Sequence, residues 1–348
     1  MGSRRLGVAR CLGGPVRRVL FAACLLMALP GCQGVTKWAL GYTGNILADG
    51  FQAIMEDPDV DLVRDSLPGN LKTVEVLLAS SPYDPNLLYA LAQGYGSYAW
   101  LVLEDEMDLA EAAGQGQRAE ALRQRAQGLY RRTQVYAARM LTRAGRSEQD
   151  VLQGLEGPSE KATARLLGEL DRPDARALFW YTFGWVSRIN LDPANPERVS
   201  ELPRVEQLMA RVVELDPTYF YGLPLLLSGA LYAGRAPMYG GDLERGRAFF
   251  EKAIAASQGR FLVTRFAYGR YYGVQAQDRE LFCRMMNEVL EAPEDLLPEQ
   301  QMMNNVTRRW AKRWRERASS LFEESQDCPP VGGQGKEAES QEVDDGEL

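Results

Sequence analysis

Between Leu71 and Phe322 the apolar residues recur at spacings of three and four, with no sustained alternation of period two. A chain patterned this way has no strands to build a sheet from, and must bury its apolar stripes helix against helix. Leu71, Val74, Leu77 and Leu78 carry the spacing up to Ser80-Ser81-Pro82, and Leu87, Leu88, Leu91, Tyr95 and Tyr98 resume it. Over 117–143, Leu122, Ala126, Tyr130, Thr133 and Ala137 fall on one side of a long helix. Arg118, Arg125, Arg131, Arg132 and Arg139 fall on the other, as a solvated face. Further helices are predicted over 175–191, 199–215, 224–233, 243–256, 261–274, 279–290 and 298–322.

These helices resemble one another. One kind places a small residue between bulky ones in mid-helix, as in Gly94-Tyr95, Phe183-Gly184-Trp185, Ser228-Gly229-Ala230 and Tyr268-Gly269. Glycine costs about 1 kcal/mol in a helix relative to alanine, so its repeated use predicts close approach by a neighbouring helix. The other kind runs small, large, small: Ala126, Tyr130 and Thr133; Val205, Met209 and Val212, closed by Pro217; Gly246, Phe250 and Ala253. The two kinds together resemble tetratricopeptide hairpins, although Gly184, Gly229 and Gly269 are 45 and 40 residues apart, longer than the regular repeat of about 34. The expected fold is all-α, with stacked antiparallel helical hairpins forming a tetratricopeptide-like solenoid or bundle over 45–324.

Residues 1–31 contain five arginines and no acid, and Val19–Leu29 form an apolar run. That run is too short to cross a bilayer, which takes about 20 residues, and has the layout of a secretory signal. Leu29-Pro30-Gly31-Cys32 resembles a bacterial lipobox. The resemblance implies a mature N-terminus at Cys32, lipidated and anchored in a membrane, followed by a linker over 32–44. Gln33 after the cysteine implies sorting to the outer membrane of a Gram-negative bacterium, with the body in the periplasm. Loss of the signal's five arginines takes the net charge from −7 to −12, and so acidic a body does not suit nucleic acid. Cys283 and Cys328 are the cysteines left over; a disulfide between them and a buried Cys283 beside a free Cys328 are both compatible with the sequence. Residues 325–348 lack aromatics and end in a run of acids, which predicts a disordered acidic tail.

One stretch carries a family resemblance. Asp216-Pro217, Gly222, Pro224 and Gly229 lead into Pro237-Met238-Tyr239-Gly240-Gly241-Asp242, then Phe249-Phe250 and Ala253. Gly240-Gly241 suits a tight turn, with a positive φ expected at Gly241, and Asp242 suits a helix N-cap. With the lipobox, this looks like the TatT component family of TRAP transporters. The resemblance implies association with the transporter's substrate-binding subunit and a hydrophobic or carboxylated small ligand. Self-association into a homo-oligomer is a further expectation.

The chain contains no histidine, which excludes Ser-His-Asp and Cys-His catalysis and the usual histidine zinc sites. No catalytic constellation, metal-ligand spacing or phosphate-binding loop stands out, and neither an enzyme nor a cofactor is expected. Glu104-Asp105-Glu106 with Asp108 reads as an exposed acidic turn. The expected ligand-facing residues are the aromatics Tyr95, Tyr98, Trp180, Trp185, Tyr232 and Tyr268, with Arg188, Arg265 and Arg270 to meet a carboxylate. The competing reading is an envelope scaffold that holds proteins and takes no small ligand.

Overall fold

The computed structural model describes residues 50–142, 145–323 and 326–330. Cys32, the predicted signal and linker, and the acidic residues from 331 onward lie outside them. The described residues are helical and contain no β-strand, as the periodicity predicts.

After helical residues 50–56, α1 (Val60–Ser80) starts at the Asp59 cap, whose carboxylate accepts from the amides of Asp61 and Leu62. Its buried stripe of Val63, Leu67, Leu71, Val74 and Leu78 has helical spacing throughout. Asp84 caps α2 (Pro85–Tyr98), with Pro85 in the first turn, where a missing N–H costs nothing. α2 runs without a break into a π-helical segment, Ala99–Leu103, and then α3 (Glu104–Ala112). α4 (Gly116–Leu141) is the long amphipathic helix, and its Tyr130 is fully buried. Two short helices, α5 (Glu148–Leu155) and α6 (Glu160–Glu169), are set by serine caps at Ser147 and Ser159.

The second half contains α7 (Ala175–Asn190), α8 (Pro196–Val199), α9 (Leu202–Leu215), α10 (Tyr219–Ala233) and α11 (Leu243–Ala256). α12 (Leu262–Ala267) passes into a second π-helical segment, Tyr268–Gly273. α13 (Arg279–Glu291), α14 (Gln301–Glu316) and the short α15 (Ala318–Leu321) follow. Chain neighbours pack as hairpins, α1 on α2 and α10 on α11, while α2 on α4 and α4 on α7 carry the stacking forward.

The mid-helix glycines sit where a neighbouring helix comes close: side chains of that helix crowd Gly94, Gly229 and Gly269, and its backbone crowds Gly184. A Cβ at Gly184 of α7 would lie 2.8 Å from the carbonyl oxygen of Tyr130 in α4. That distance is below van der Waals contact, so the small-large-small face of α4 and the glycine of α7 require one another. The regular helix of α10 resumes at Leu223, because Phe220, Tyr221 and Gly222 all have left-handed φ values of 44°, 58° and 83°.

At the C-terminal end a disulfide joins Cys283 of α13 to Cys328. Arg279 donates to the carbonyl of Asp327, and Arg315 to that of Pro329. Residues 327–329 are thus held against α13 and α14, so the free tail predicted from residue 325 does not begin there.

Candidate functional site

α7, α10, α12 and α14, with the two π-helical segments, enclose a cavity of about 1090 Å³. α7 presents Phe183, Val186, Ser187 and Asn190 to it, at spacings of three, four and seven. α10 presents Leu223, Leu226, Leu227 and Ala230 in the same register. Both helices are apolar around much of their circumference, so each can pack one face and leave another for the cavity. On α10 the packed face includes Gly229, where a Cβ would lie 3.0 Å from the Phe250 ring of α11. The cavity reaches the surface at Pro193, Ala194, Pro196, Ser200, Gly234 and Tyr239, all lining residues that are exposed.

The polar groups in this apolar wall are few, and the π-helical segments bring two of them. Such segments are frequent at functional sites, since the wider turn re-aims the side chains around it. Glu104 follows the first segment directly, and Arg270 lies within the second. Burial pushes the Glu104 carboxyl up to about 7, against the opposing pull of a hydrogen bond from the Tyr130 hydroxyl and the charge of Arg270. Burial, then the charge of Glu104, raises Tyr130 well above the ordinary phenol range, so Tyr130 is a fixed donor.

Arg270 is the unusual group. Its guanidinium carbon lies 4.5 Å from the Trp314 ring centre and 5.1 Å from that of Tyr271. Among the described residues no carboxylate comes within 4.0 Å of it. The other cation of the wall, Arg235, is spent on Glu206 at 2.6 Å and on the carbonyl of Tyr239. A cation held between aromatic faces, with its donor edge free and apolar surface around it, can receive a carboxylate or similar anion.

The sequence profile of the TRAP transporter T-component family matches residues 56–322. The chain belongs to the TRAP transporter T-component family. A protein of Treponema pallidum (strain Nichols), described only as uncharacterized, is 26% identical over 250 residues, covering 69% of this chain and 72% of its own length. Membership assigns the chain an accessory role in a TRAP transport system, in a family of transporter components rather than of enzymes. No described helix is long and apolar enough to cross a membrane.

In this T-component the residues expected to face a ligand are mostly placed elsewhere. Arg270 lines the cavity; the other eight do not. Tyr95 donates to Glu75 at 2.8 Å, and Tyr98 is buried under Arg125. The Trp180 indole donates to the Tyr219 hydroxyl at 2.9 Å, and that of Trp185 to Glu201 at 2.6 Å. Tyr232 stacks on Phe249 beneath Arg245, and Tyr268 on Phe250. Arg188 is bonded to Gln134 and Arg265 to Glu288. The larger rings fill the interfaces between helices, and the arginines satisfy partners inside the fold. Residues of smaller bulk, Leu, Val and Ala, line much of the space that is left.

The Pro237–Asp242 turn borders the cavity mouth through Tyr239. The positive φ falls on Gly240, at 82°, and not on Gly241 as the sequence suggested. Gly241 is needed for a different reason: a Cβ there would lie 1.9 Å from the carbonyl oxygen of Arg235. The Asp242 side chain accepts from the Arg245 amide at 3.0 Å and caps α11.

The acidic turn was expected to be exposed, and here the structure corrects the sequence. Glu104 faces the cavity, and Asp105 accepts from the Trp310 indole at 2.7 Å and pairs with Arg313. Asp108 pairs with Arg317, its Oδ1 3.0 Å from a guanidinium nitrogen. The turn clamps α14 against the cavity because α14 brings Trp310 and Arg313, and its C-cap Arg317, to meet it.

Proposed function

We propose that this T-component holds an amphipathic carboxylate in its central cavity and passes it to, or receives it from, the substrate-binding subunit of its TRAP system. The observation that carries this reading is Arg270: a cation free of carboxylate partners, set in the wall of a roomy apolar chamber. Pockets that bury small ligands are mostly apolar, with a few polar groups fixing orientation. The helical hairpins are read as tetratricopeptide-like, and the protein as a periplasmic lipoprotein anchored at Cys32, in the outer membrane.

Decanoate tests the reading, with decanol as the matched chain lacking the charge. Arg270→Gln should weaken decanoate about 10- to 100-fold, the range for a lost charge-assisted hydrogen bond, and leave decanol nearly unaffected. Equal decanoate affinity in wild type and variant would remove Arg270 from the site. The scaffold reading is favoured by Met238, 80% exposed, and Tyr239, 57% exposed, beside the mouth. Both would serve a protein partner there. A scaffold binds neither decanoate nor decanol.

A further inference from the structure

We propose that the cavity takes up a proton together with its carboxylate, and that Glu104 is the residue that holds this proton. The inference rests on the carboxylate reading above, with Arg270 as the cation left to meet a ligand carboxylate and Glu104 as the group beside it.

The geometry begins with two opposite charges on one wall. Glu104 and Arg270 both line the cavity, close enough to feel each other's charge but not within ion-pair distance. A ligand carboxylate drawn to Arg270 therefore enters beside a second carboxyl group. Were Glu104 ionised, two anions would share one cation in a chamber lined largely by hydrocarbon. Like charges in such a place drive one carboxyl to keep its proton. With Glu104 neutral, its O–H donates to the ligand carboxylate, Arg270 donates from the other side, and the Tyr130 hydroxyl still donates to the remaining Glu104 oxygen. The balance is simple: ionised Glu104, one proton from solvent and one carboxylate give a neutral Glu104 hydrogen-bonded to a bound carboxylate. A second carboxylate on the ligand finds no further free cation, because Arg235 is held by Glu206.

The groups around Glu104 support this assignment. From α4 it meets Tyr130, a fixed donor, and from the second π-helical segment it feels the charge of Arg270, while Tyr271 lines the same cavity. The arginines that α14 and its C-cap bring nearby, Arg313 and Arg317, are paired with Asp105 and Asp108. Ser187 of α7 is uncharged. None of these supplies a second free cation to keep Glu104 ionised once a ligand anion is present. The empty site already holds its carboxyl near neutrality, at about 7, and a bound anion raises it further.

The sign of the pH effect follows. A group whose proton is held more tightly in the complex favours binding fully below its pKa in the free protein. That advantage is lost as pH rises towards its pKa in the complex. Decanoate affinity should be level below pH about 7 and fall by up to tenfold per pH unit above it. Calorimetric titration of wild type with decanoate at pH 6.5, 7.5 and 8.5, each in two buffers of different ionisation heat, reads the protons taken up directly. Wild type should take up close to one proton per decanoate at pH 8.5 and fewer at pH 6.5. Glu104→Gln keeps an oxygen for the Tyr130 hydroxyl and should bind with the low-pH affinity at all three values, taking up none. Wild-type binding with no buffer dependence overturns the proposal, whether or not the variant folds. A variant that titrates as wild type does moves the proton to another group and also overturns it. Absence of decanoate binding in both proteins at every pH refutes the carboxylate reading itself, and the proton proposal with it.

Discussion

Trp185 separates the packing account from the ligand account more sharply than any other aromatic. Its ring is 8% exposed, stacks edge-on against Tyr181 at 5.9 Å and donates to Glu201. It does not line the cavity, although it follows directly on Gly184 and sits two residues from Phe183, which does. Trp185→Ala should therefore leave a void between α7 and the start of α9 and cost about 3–5 kcal/mol. Glu201 also pairs with Arg198 and is partly exposed, so loss of its indole partner adds little. At about 2.1 cal/mol/K per residue, unfolding of the roughly 270 residues matched by the family profile carries an entropy of about 0.56 kcal/mol/K. The melting temperature should then fall by about 5–9 °C. Differential scanning calorimetry measures that, and a decanoate titration well below the transition should show affinity within about twofold of wild type. An unchanged melting temperature with lost decanoate binding would refute the placement of Trp185 in the packed interface.

Three further outcomes follow from the same geometry. Gly241→Val should destabilise more than Asp242→Ala: the first drives a side chain onto the Arg235 carbonyl, at about 1–3 kcal/mol or more, and the second loses a cap worth about 0.5–2 kcal/mol; unfolding midpoints measured side by side decide the order. The Cys283–Cys328 disulfide closes a loop with a sequence separation of 45, so reduction or a double Ser substitution should cost about 2–4 kcal/mol, read as a shift in denaturant midpoint. Glu75 is pushed up by partial burial but held at about 2 overall by hydrogen bonds from Lys72, Tyr136 and Tyr95. Its stabilisation is present above the ordinary carboxyl value and is lost as pH falls from about 4.5 towards 2. Glu75→Gln should flatten that acid limb.

The sequence made the packing legible and left the cavity largely hidden. The pattern over 243–256 gives the helix to the residue, because Asp242 caps an amphipathic face and Ala256 is the last of its periodic positions. The periodicity of 261–274 predicts one α-helix, and its second half is π-helical, a difference in hydrogen-bond register that side-chain periodicity does not record. α5 and α6 leave little periodic signal in the sequence, because each spans only two or three turns and depends on its serine cap more than on a long apolar stripe. The aromatics were conspicuous, but bulk is what close-packed interfaces consume, and Trp180 and Tyr181 are almost fully buried. One signal could have found the lining. The run Leu223-Pro224-Leu225-Leu226-Leu227 is apolar on every side, more than one packing face requires, and its surplus stripe lines the cavity. Glu104, Tyr130 and Arg270 meet only through the tertiary fold, and no local pattern links positions so far apart in the chain.

The central claim is that the chamber between α7, α10 and α12 holds a small amphipathic acid in the protein as it is made. Native mass spectrometry of the gently purified full-length protein, with Ala230→Trp as its partner, tests it most directly. Ala230 lines the cavity on α10 and is partly exposed, so an indole there takes up ligand space without displacing buried core. The account predicts a bound small molecule on the wild type, recovered as a monocarboxylate on denaturation and missing from an Ala230→Trp protein of normal melting temperature. The same small molecule retained at full occupancy by the filled variant would contradict the account.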